Sequence, residues 1–560
     1  MKIALAQQNY HIGNFEINTQ KIIEAINTAK QQQAELIVFS ELSICGYPPR
    51  DFLEFNDFIN KCYKALDTIK QHADTIGVLV GSPARNPRPE GKDLFNAAFL
   101  LYQGQIQGEV HKTLLPTYDV FDEYRYFEPA FNWQVLPFKG KKLAVTICED
   151  IWNILDNPLY RVCPMDILNE QQPDVMINLS ASPFDYIHDE ERKAVIKANV
   201  LKYALPMIYC NAVGSQTEIV FDGGSMVFDK QGNICKTLPL FKEAIETVEV
   251  NSNGSITGCE KKFTQAADHF KPNPTTFDAN LNIQYIHEAL LMGIGDYFKK
   301  LNFTKAILGS SGGIDSAVVL ALASQALGSK NVRAILMPSP FSTSHSVTDA
   351  AQLSKNLGNP YDVISINRLF ETFLQTLEPL FQNLPFGLAE ENLQSRTRGN
   401  LLMSLANKFN YILLNTSNKS ELATGYGTLY GDMAGGIGVL GDCYKLQVYA
   451  LANYINRNGE VIPQNIITKA PSAELRPDQK DTDSLPAYEV LDEILYQYIE
   501  RRLGPKEIKQ IGFEGSLVDR ILKLVNINEY KRNQFCPIIR VSPKAFGVGR
   551  RMPIVGKYLG

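Results

Sequence analysis

"KAILGSSGGIDSAVVLALASQAL" (305–327) joins a strand-like apolar run to a helix-like one through a loop of small residues. Glycines in such a loop let backbone N–H groups approach an anion closely, and the start of the following helix adds the positive end of a dipole. Ser310, Ser311 and Ser316 add hydroxyl donors. From these residues alone, a plain turn with Asp315 or Ser316 as helix cap reads as well as a phosphate cradle. The loop has neither the Lys of a Walker loop nor the spacing of a dinucleotide fingerprint.

The neighbouring sequence decides between the two. "NVRAILMPS" (331–339), "YDVISIN" (361–367) and "YILLNTS" (411–417) read as strands. "SVTDAAQLSKNLG" (346–358) and "NLQSRTRGNLLMSLANKF" (392–409) read as helices between them. This alternation predicts a doubly wound parallel sheet, in which the end of the first strand is where ligands bind. The loop at that position is expected to hold phosphate.

The first half alternates less cleanly. "KIALAQQ" (2–8) and "AELIVFSEL" (34–42) read as strands flanking an amphipathic helix, "NTQKIIEAINTAKQQQ" (18–33). "IGVLVGSP", "LFNAAFLLYQG", "KLAVTICED", "PDVMINLSASPF" and "PMIYCNAVG" follow as short apolar runs ended by Gly, Pro or polar residues. "IVFDGGSMVFDKQGNI" (219–234) reads as two strands with turn signals. Several strands lack a crossover helix, so the expectation is an α/β sandwich with hairpins. Residues 251–280 are rich in Asn, Gly, Pro, Thr and Lys, as a linker would be. The expected division is 1–265, a linker at 266–280, and 281–560.

The 560 residues suit two large domains or three smaller ones. A net charge of −5 supplies no global basic field, so no nucleic-acid partner is expected. The N-terminal run is too short for a signal peptide, and no stretch approaches the ~20 apolar residues of a membrane span, so no membrane partner is expected. Nine scattered cysteines without a C-x-x-C pair predict neither a disulfide framework nor a zinc site, and a cytoplasmic setting.

Three polar residues follow apolar runs in the first half: Glu41, Lys112 in "GEVHKTLLPTYD" and Cys148 before "EDIW". Singly, each reads as a packing residue or a surface charge. Together they meet the needs of amide cleavage: a nucleophile, a base for its thiol and a cation for the oxyanion.

The motifs also carry resemblances. Ser311 to Ser316, S-G-G-x-D-S, resembles the pyrophosphate loop of N-type ATP pyrophosphatases. The resemblance implies ATP contacts at Gly309, Ser310, Ser311, Gly312, Gly313, Ile314, Asp315 and Ser316. The first half resembles the nitrilase superfamily through "FSELSICGYPPRDFL", "KTLLPTYDVFDEYRYFEP", "CEDIW" and "NLSASPF". This implies an α-β-β-α sandwich with Glu41 as base, Lys112 as oxyanion stabiliser and Cys148 as nucleophile, and a second glutamate at Glu123. It also implies that Tyr118, Glu149, Ser182 and His188 hold glutamine; His188 stands where relatives more often carry Lys or Arg. "LLNTSNKSELATGYGTLYGDMAGG" (413–436), "EENLQSRTRGNLLMSLAN" and "EYKRNQFCP" resemble the glutamine-dependent NAD synthetase family across almost the whole chain.

That family resemblance implies an adenine nucleotide alpha hydrolase-like second domain. It places Thr416 and Lys445 on ATP, and Asn392, Glu421, Asp432 and Lys531 on deamido-NAD. Mg²⁺ accompanying ATP would meet Asp315 and Glu421. It also implies a homo-oligomer. Residues 471–486, polar, charged and rich in proline, read either as a plain surface loop or as a lid that orders when ATP is bound. The alternative left open is another glutamine-dependent amidotransferase with the same ATP loop.

Overall fold

Alternation along the first strand sets the layers of the N-terminal half. In Lys2–Gln7, Ile3 and Leu5 join a core with Leu36, Val38, Leu143, Val145 and Ile177, while Ala4 and Ala6 turn to the opposite side, among Ile22, Ile26 and Leu66. A period of two sends successive side chains to opposite faces, so a strand buried on both faces is apolar throughout. The computed structural model describes residues 1–560 except 155–158, 252, 258, 260–273, 383, 478, 480, 484 and 559–560. The chain forms two units, Met1–Phe184 with His188–Lys271, and Asp185–Ile187 with Pro272–Gly560.

The first unit contains two six-stranded sheets. One runs in the order Ala244–Glu249, Lys2–Gln7, Leu36–Val38, Gly77–Arg85, Leu94–Tyr102, Gln105–His111. The other runs Ile234–Thr237, Met226–Phe228, Met207–Asn211, Val175–Ser180, Lys141–Ile147, Leu136–Phe138. Both mix parallel and antiparallel pairs, and their inner faces share one apolar core. Helices Phe15–Gln31 and Asn56–Lys70 pack on the outer face of the first sheet. Pro164–Asn169 and His188–Tyr203 pack on the outer face of the second, completing an α-β-β-α sandwich. Local chemistry starts these helices where they start: the Asn14 side chain accepts from the Ile17 N–H, and Glu16 and Lys30 sit at the ends that favour their charges.

The second unit is built on a five-stranded parallel sheet ordered Tyr361–Val363, Val332–Leu336, Ala306–Gly309, Ile412–Asn415, Ile437–Gly438. The strand order reverses beside Ala306–Gly309, which makes the loop after it the switch point of a doubly wound sheet. The helix opened by that loop, Ile314–Leu327, buries nearly every residue from Ile314 to Ser324, as its lack of a polar face foretells.

The structure departs from the sequence reading at several points. "AELIVFSEL" contributes only Leu36–Val38 to the sheet, because turns begin at Glu41 and carry that carboxylate out of the ladder. Helix Asn367–Phe381 was not read from the sequence, and neither was the fifth strand, whose two residues are too few to leave a pattern. Cys235 and Cys259 form a disulfide, contrary to the expectation from spacing. They lie 24 residues apart, but the Val250–Ile256 bridge turns the chain back and brings their Cα atoms to 4.3 Å. The expected boundary at 265 and residues 266–273 of the expected linker lie outside the described residues.

Candidate active sites

In the first unit, strand ends converge on a buried charged cluster. Lys112 lies just beyond Gln105–His111, and its Nζ donates to Glu41 Oε1 at 2.7 Å and to Glu123 Oε1 at 2.8 Å. Asn96 Nδ2 donates to Glu41 Oε1 at 2.7 Å, and the Ala181 N–H to Glu41 Oε2 at 3.1 Å. The Tyr47 hydroxyl donates to Glu123 at 2.7 Å. Cys148 follows Lys141–Ile147 with a left-handed φ of 43°, a conformation uncommon outside glycine and frequent at functional turns. Burial pushes its thiol up, Glu41 pushes the same way, and Lys112 pulls it down. Burial also raises the Glu123 carboxyl to about 7 against the pull of Lys112. A neutral thiol thus faces a carboxylate able to take its proton and an ammonium able to stabilise an oxyanion.

The residues expected to hold glutamine form two groups. Tyr118 exposes part of its ring, yet its hydroxyl donates to Glu149, 2.9 Å from either oxygen. Tyr160 donates to the same carboxylate at 3.1 Å. Burial raises the Glu149 carboxyl, opposed by Lys112 and by these two hydroxyls. Ser182 Oγ lies 2.9 Å from His188 Nε2, and His188 stacks on Trp152 with centroids 5.0 Å apart. Glu191 lies 3.4 Å from the other ring nitrogen.

In the second unit, one cavity of about 550 Å³ is lined by Gly309 to Ser316 and by Asn392, Thr416, Glu421, Asp432, Lys445 and Lys531. Gly312 has a φ of 80°, and a Cβ there would lie 2.3 Å from the Ser346 carbonyl oxygen, so only glycine fits. The Ser310 hydroxyl is buried and has no hydrogen-bond partner among the described residues. Asp315 accepts from Asn418 Nδ2 at 2.8 Å and from Lys445 Nζ at 2.5 Å, and Lys445 also lies 3.5 Å from Glu421. Burial and Asp315 push the Glu421 carboxyl up to about 8, with Lys445 opposing. The Asn392 side chain accepts from the Thr428 hydroxyl, the Thr428 N–H donates to Asp432, and burial raises the Asp432 carboxyl. Lys531 donates to the Gly425 and Gly427 carbonyls at 2.7 and 2.8 Å, and burial lowers its ammonium. In the segment read as loop or lid, Glu474 accepts from Ser346, Thr343 and Lys469, so this part already rests at the cavity.

Sequence reasoning did not single out Tyr47, Asn96, Tyr160 and Asn418, which the structure places against these groups. Asn96 had a signal, as a polar residue inside the apolar run "LFNAAFLL". Asn418 had another: Asn-x-x-Glu ahead of an apolar turn is a capping box, and Asn418 caps Lys419–Thr424 with Glu421 reciprocating. Tyr47 and Tyr160 gave none, because their roles depend on partners 76 and 11 residues away.

The carbon–nitrogen hydrolase family model matches residues 2–256 and the NAD synthase model residues 286–535. A glutamine-dependent NAD(+) synthetase of Synechocystis is 45% identical, the match covering 99% of this chain and 98% of the relative. One from Thermotoga maritima is 40% identical over 100% and 99%. The structure of a glutamine-dependent NAD+ synthetase from Acinetobacter baumannii, in complex with ADP, matches with a TM-score of 0.76 at 38% identity, covering 99% of this chain and 98% of that one. With the thiol–carboxylate–ammonium cluster on one unit and the cavity lined by residues 309–316 on the other, the chain belongs to the glutamine-dependent NAD(+) synthetase family.

Proposed function

We propose that this chain amidates deamido-NAD to NAD⁺ with ATP, taking nitrogen from glutamine and releasing AMP, pyrophosphate and glutamate. The carrying observation is that every residue expected to meet ATP or deamido-NAD lines one cavity, opened by the loop at 309–316. In this reading the first unit is the amidase and the second the synthetase.

In the synthetase unit the nicotinate carboxylate attacks the α-phosphorus of ATP and pyrophosphate leaves. Backbone N–H groups at the start of the helix opened by this loop, and the Ser310 hydroxyl, would hold the departing phosphates. Thr416 contacts the nucleotide, while Asn392, Asp432 and Lys531 orient deamido-NAD. Mg²⁺ suits the donor set, because Asp315 and Glu421 turn hard carboxylate oxygens toward one ammonium, that of Lys445. When bound, it neutralises charge on the triphosphate. Lys445 would then be free to turn from the carboxylates to a phosphate oxygen.

In the amidase unit, Glu41 takes the Cys148 proton and the thiolate attacks the glutamine side-chain amide. Lys112 stabilises the oxyanion. Glu41 hands that proton to the departing nitrogen, ammonia leaves, and water activated by the restored Glu41 carboxylate cleaves the thioester, releasing glutamate and the Cys148 thiol. Tyr118, Glu149, Ser182 and His188 orient the amino acid, the imidazole of His188 standing in for a longer cation. The ammonia displaces AMP from the nicotinyl adenylate.

A cytoplasmic location suits an ATP-consuming ligase, and no helix among the described residues is long and apolar enough to cross a membrane. A homo-oligomer belongs to the same proposal; Leu380, Leu384 and Leu388 expose apolar surface that a second copy would cover. The test is product stoichiometry with deamido-NAD, ATP, Mg²⁺ and glutamine. NAD⁺ and AMP in equal amounts, with at least as much glutamate, are expected; AMP formed only with another acceptor overturns the assignment.

A further inference from the structure

Asp150 lies two residues beyond Cys148, is buried, and is absent from the chemistry above. Its Oδ1 accepts from the Thr113 N–H at 2.9 Å and the Leu114 N–H at 2.8 Å, the two residues that follow Lys112. Its Oδ2 accepts from the Ile147 N–H at 3.0 Å, the residue that precedes Cys148. One carboxylate therefore ties the segment carrying the cation to the turn carrying the thiol. The remaining main-chain anchors of Lys112 lie elsewhere, with its N–H on the Asn96 carbonyl and its carbonyl on the Ala130 N–H, and neither reaches the Cys148 turn. Thr113 is held from its other side by the Trp133 indole N–H at 3.0 Å. The left-handed backbone of Cys148 persists only where its surroundings hold it, and the bond to Ile147 closes that turn.

We propose that Asp150 is a positioning residue for amide cleavage, fixing the Lys112 ammonium relative to the Cys148 sulfur. This rests on Cys148 as nucleophile and Lys112 as oxyanion stabiliser. Asn in its place turns an NH₂ toward one of the N–H donors, so one side of the tie is lost in either orientation. Glu keeps charge and acceptors but displaces them by one methylene.

The test compares the full-length wild type with Asp150→Asn and Asp150→Glu. It measures kcat and KM for glutamine hydrolysis, ammonium-dependent NAD⁺ synthesis, and the pH profile of Cys148 alkylation by iodoacetamide, followed on its own peptide. Both variants are expected to lose about a hundredfold in kcat, the scale of an ångström-sized misplacement, with KM little changed. Ammonium-dependent synthesis should persist, and buried Cys45 and Cys62 should stay unlabelled, which reports an intact first unit. The alkylation profile should move to higher pH in both, as the thiolate loses its well-placed cation. Deleting a nearby negative charge alone moves the profile to lower pH, so the sign separates the two effects. In Asp150→Glu that charge is retained, so this variant decides alone where Asn fails to fold. Wild-type kcat, an unmoved or lowered profile, or loss of ammonium-dependent synthesis and protection in both variants overturns the proposal. If Cys148→Ala still hydrolyses glutamine, the underlying reading fails instead.

Discussion

Lys112 carries one positive charge between two carboxylates, at 2.7 and 2.8 Å, so the cluster is left with an excess of negative charge at high pH. Glu123 relieves it, with burial raising its carboxyl from 4.5 to about 7. The folded protein therefore binds a proton that the unfolded chain releases between those values. Stability from this group is fully present below the unfolded value and is lost as pH rises through about 7. Glu123→Gln cannot titrate, so the Tm of the wild type relative to this variant should fall between about pH 5 and 7.5, by calorimetry. A constant difference across that range contradicts the assignment. At this scale the sequence singled out Glu41, Lys112 and Cys148 because amide cleavage needs those three types and the surrounding motifs matched, and the structure brings Lys112 onto Glu41. Asn96 left a signal as a polar residue in an apolar run, whereas Tyr47 and Asp150 left none, since each meets partners that only folding brings near.

The helix Lys419–Thr424 has six residues, too few to stand on propensity. Buried charge anchors it: Lys419 Nζ reaches Glu500 at 2.7 Å, Ser542 at 2.8 Å, and Asp442 and the Lys544 carbonyl at 2.9 Å. Lys419→Met would leave Asp442 and Glu500 buried without their cation, a loss of about 3–5 kcal/mol. A thermal transition several degrees lower, with ATP affinity reduced because Asn418 and Glu421 flank the residue, is the expected result. An unchanged transition would show that the ion pairs contribute little. The capping box of this helix stood in the sequence, whereas the Lys419 anchor did not, since its partners come from positions 442, 500, 542 and 544. Helix Asn367–Phe381 is not among the elements read from the sequence, although "RLFETFLQTLEPLF" carries a periodic apolar face.

Across the whole chain, two chemistries occupy two units, each with its own apolar cores. The second half was legible as architecture because a parallel sheet buried on both faces leaves continuous apolar strands between periodic helices. The first half was legible as alternation, but its division into two six-stranded sheets depended on pairings such as Ala244–Glu249 beside Lys2–Gln7, more than 200 residues apart. The Cys235–Cys259 bond escaped because the Val250–Ile256 bridge that turns the chain back between them leaves no mark in the cysteine spacing. If the two chemistries are those proposed, removing the thiol should abolish one and spare the other. The deciding measurement is NAD⁺ formation from deamido-NAD and ATP by wild type and Cys148→Ala, each supplied with glutamine or with ammonium chloride. Wild type active with glutamine, and the variant active only with ammonium, is the predicted result. A variant that still uses glutamine, or a wild type that forms no NAD⁺ from either nitrogen source, contradicts the account.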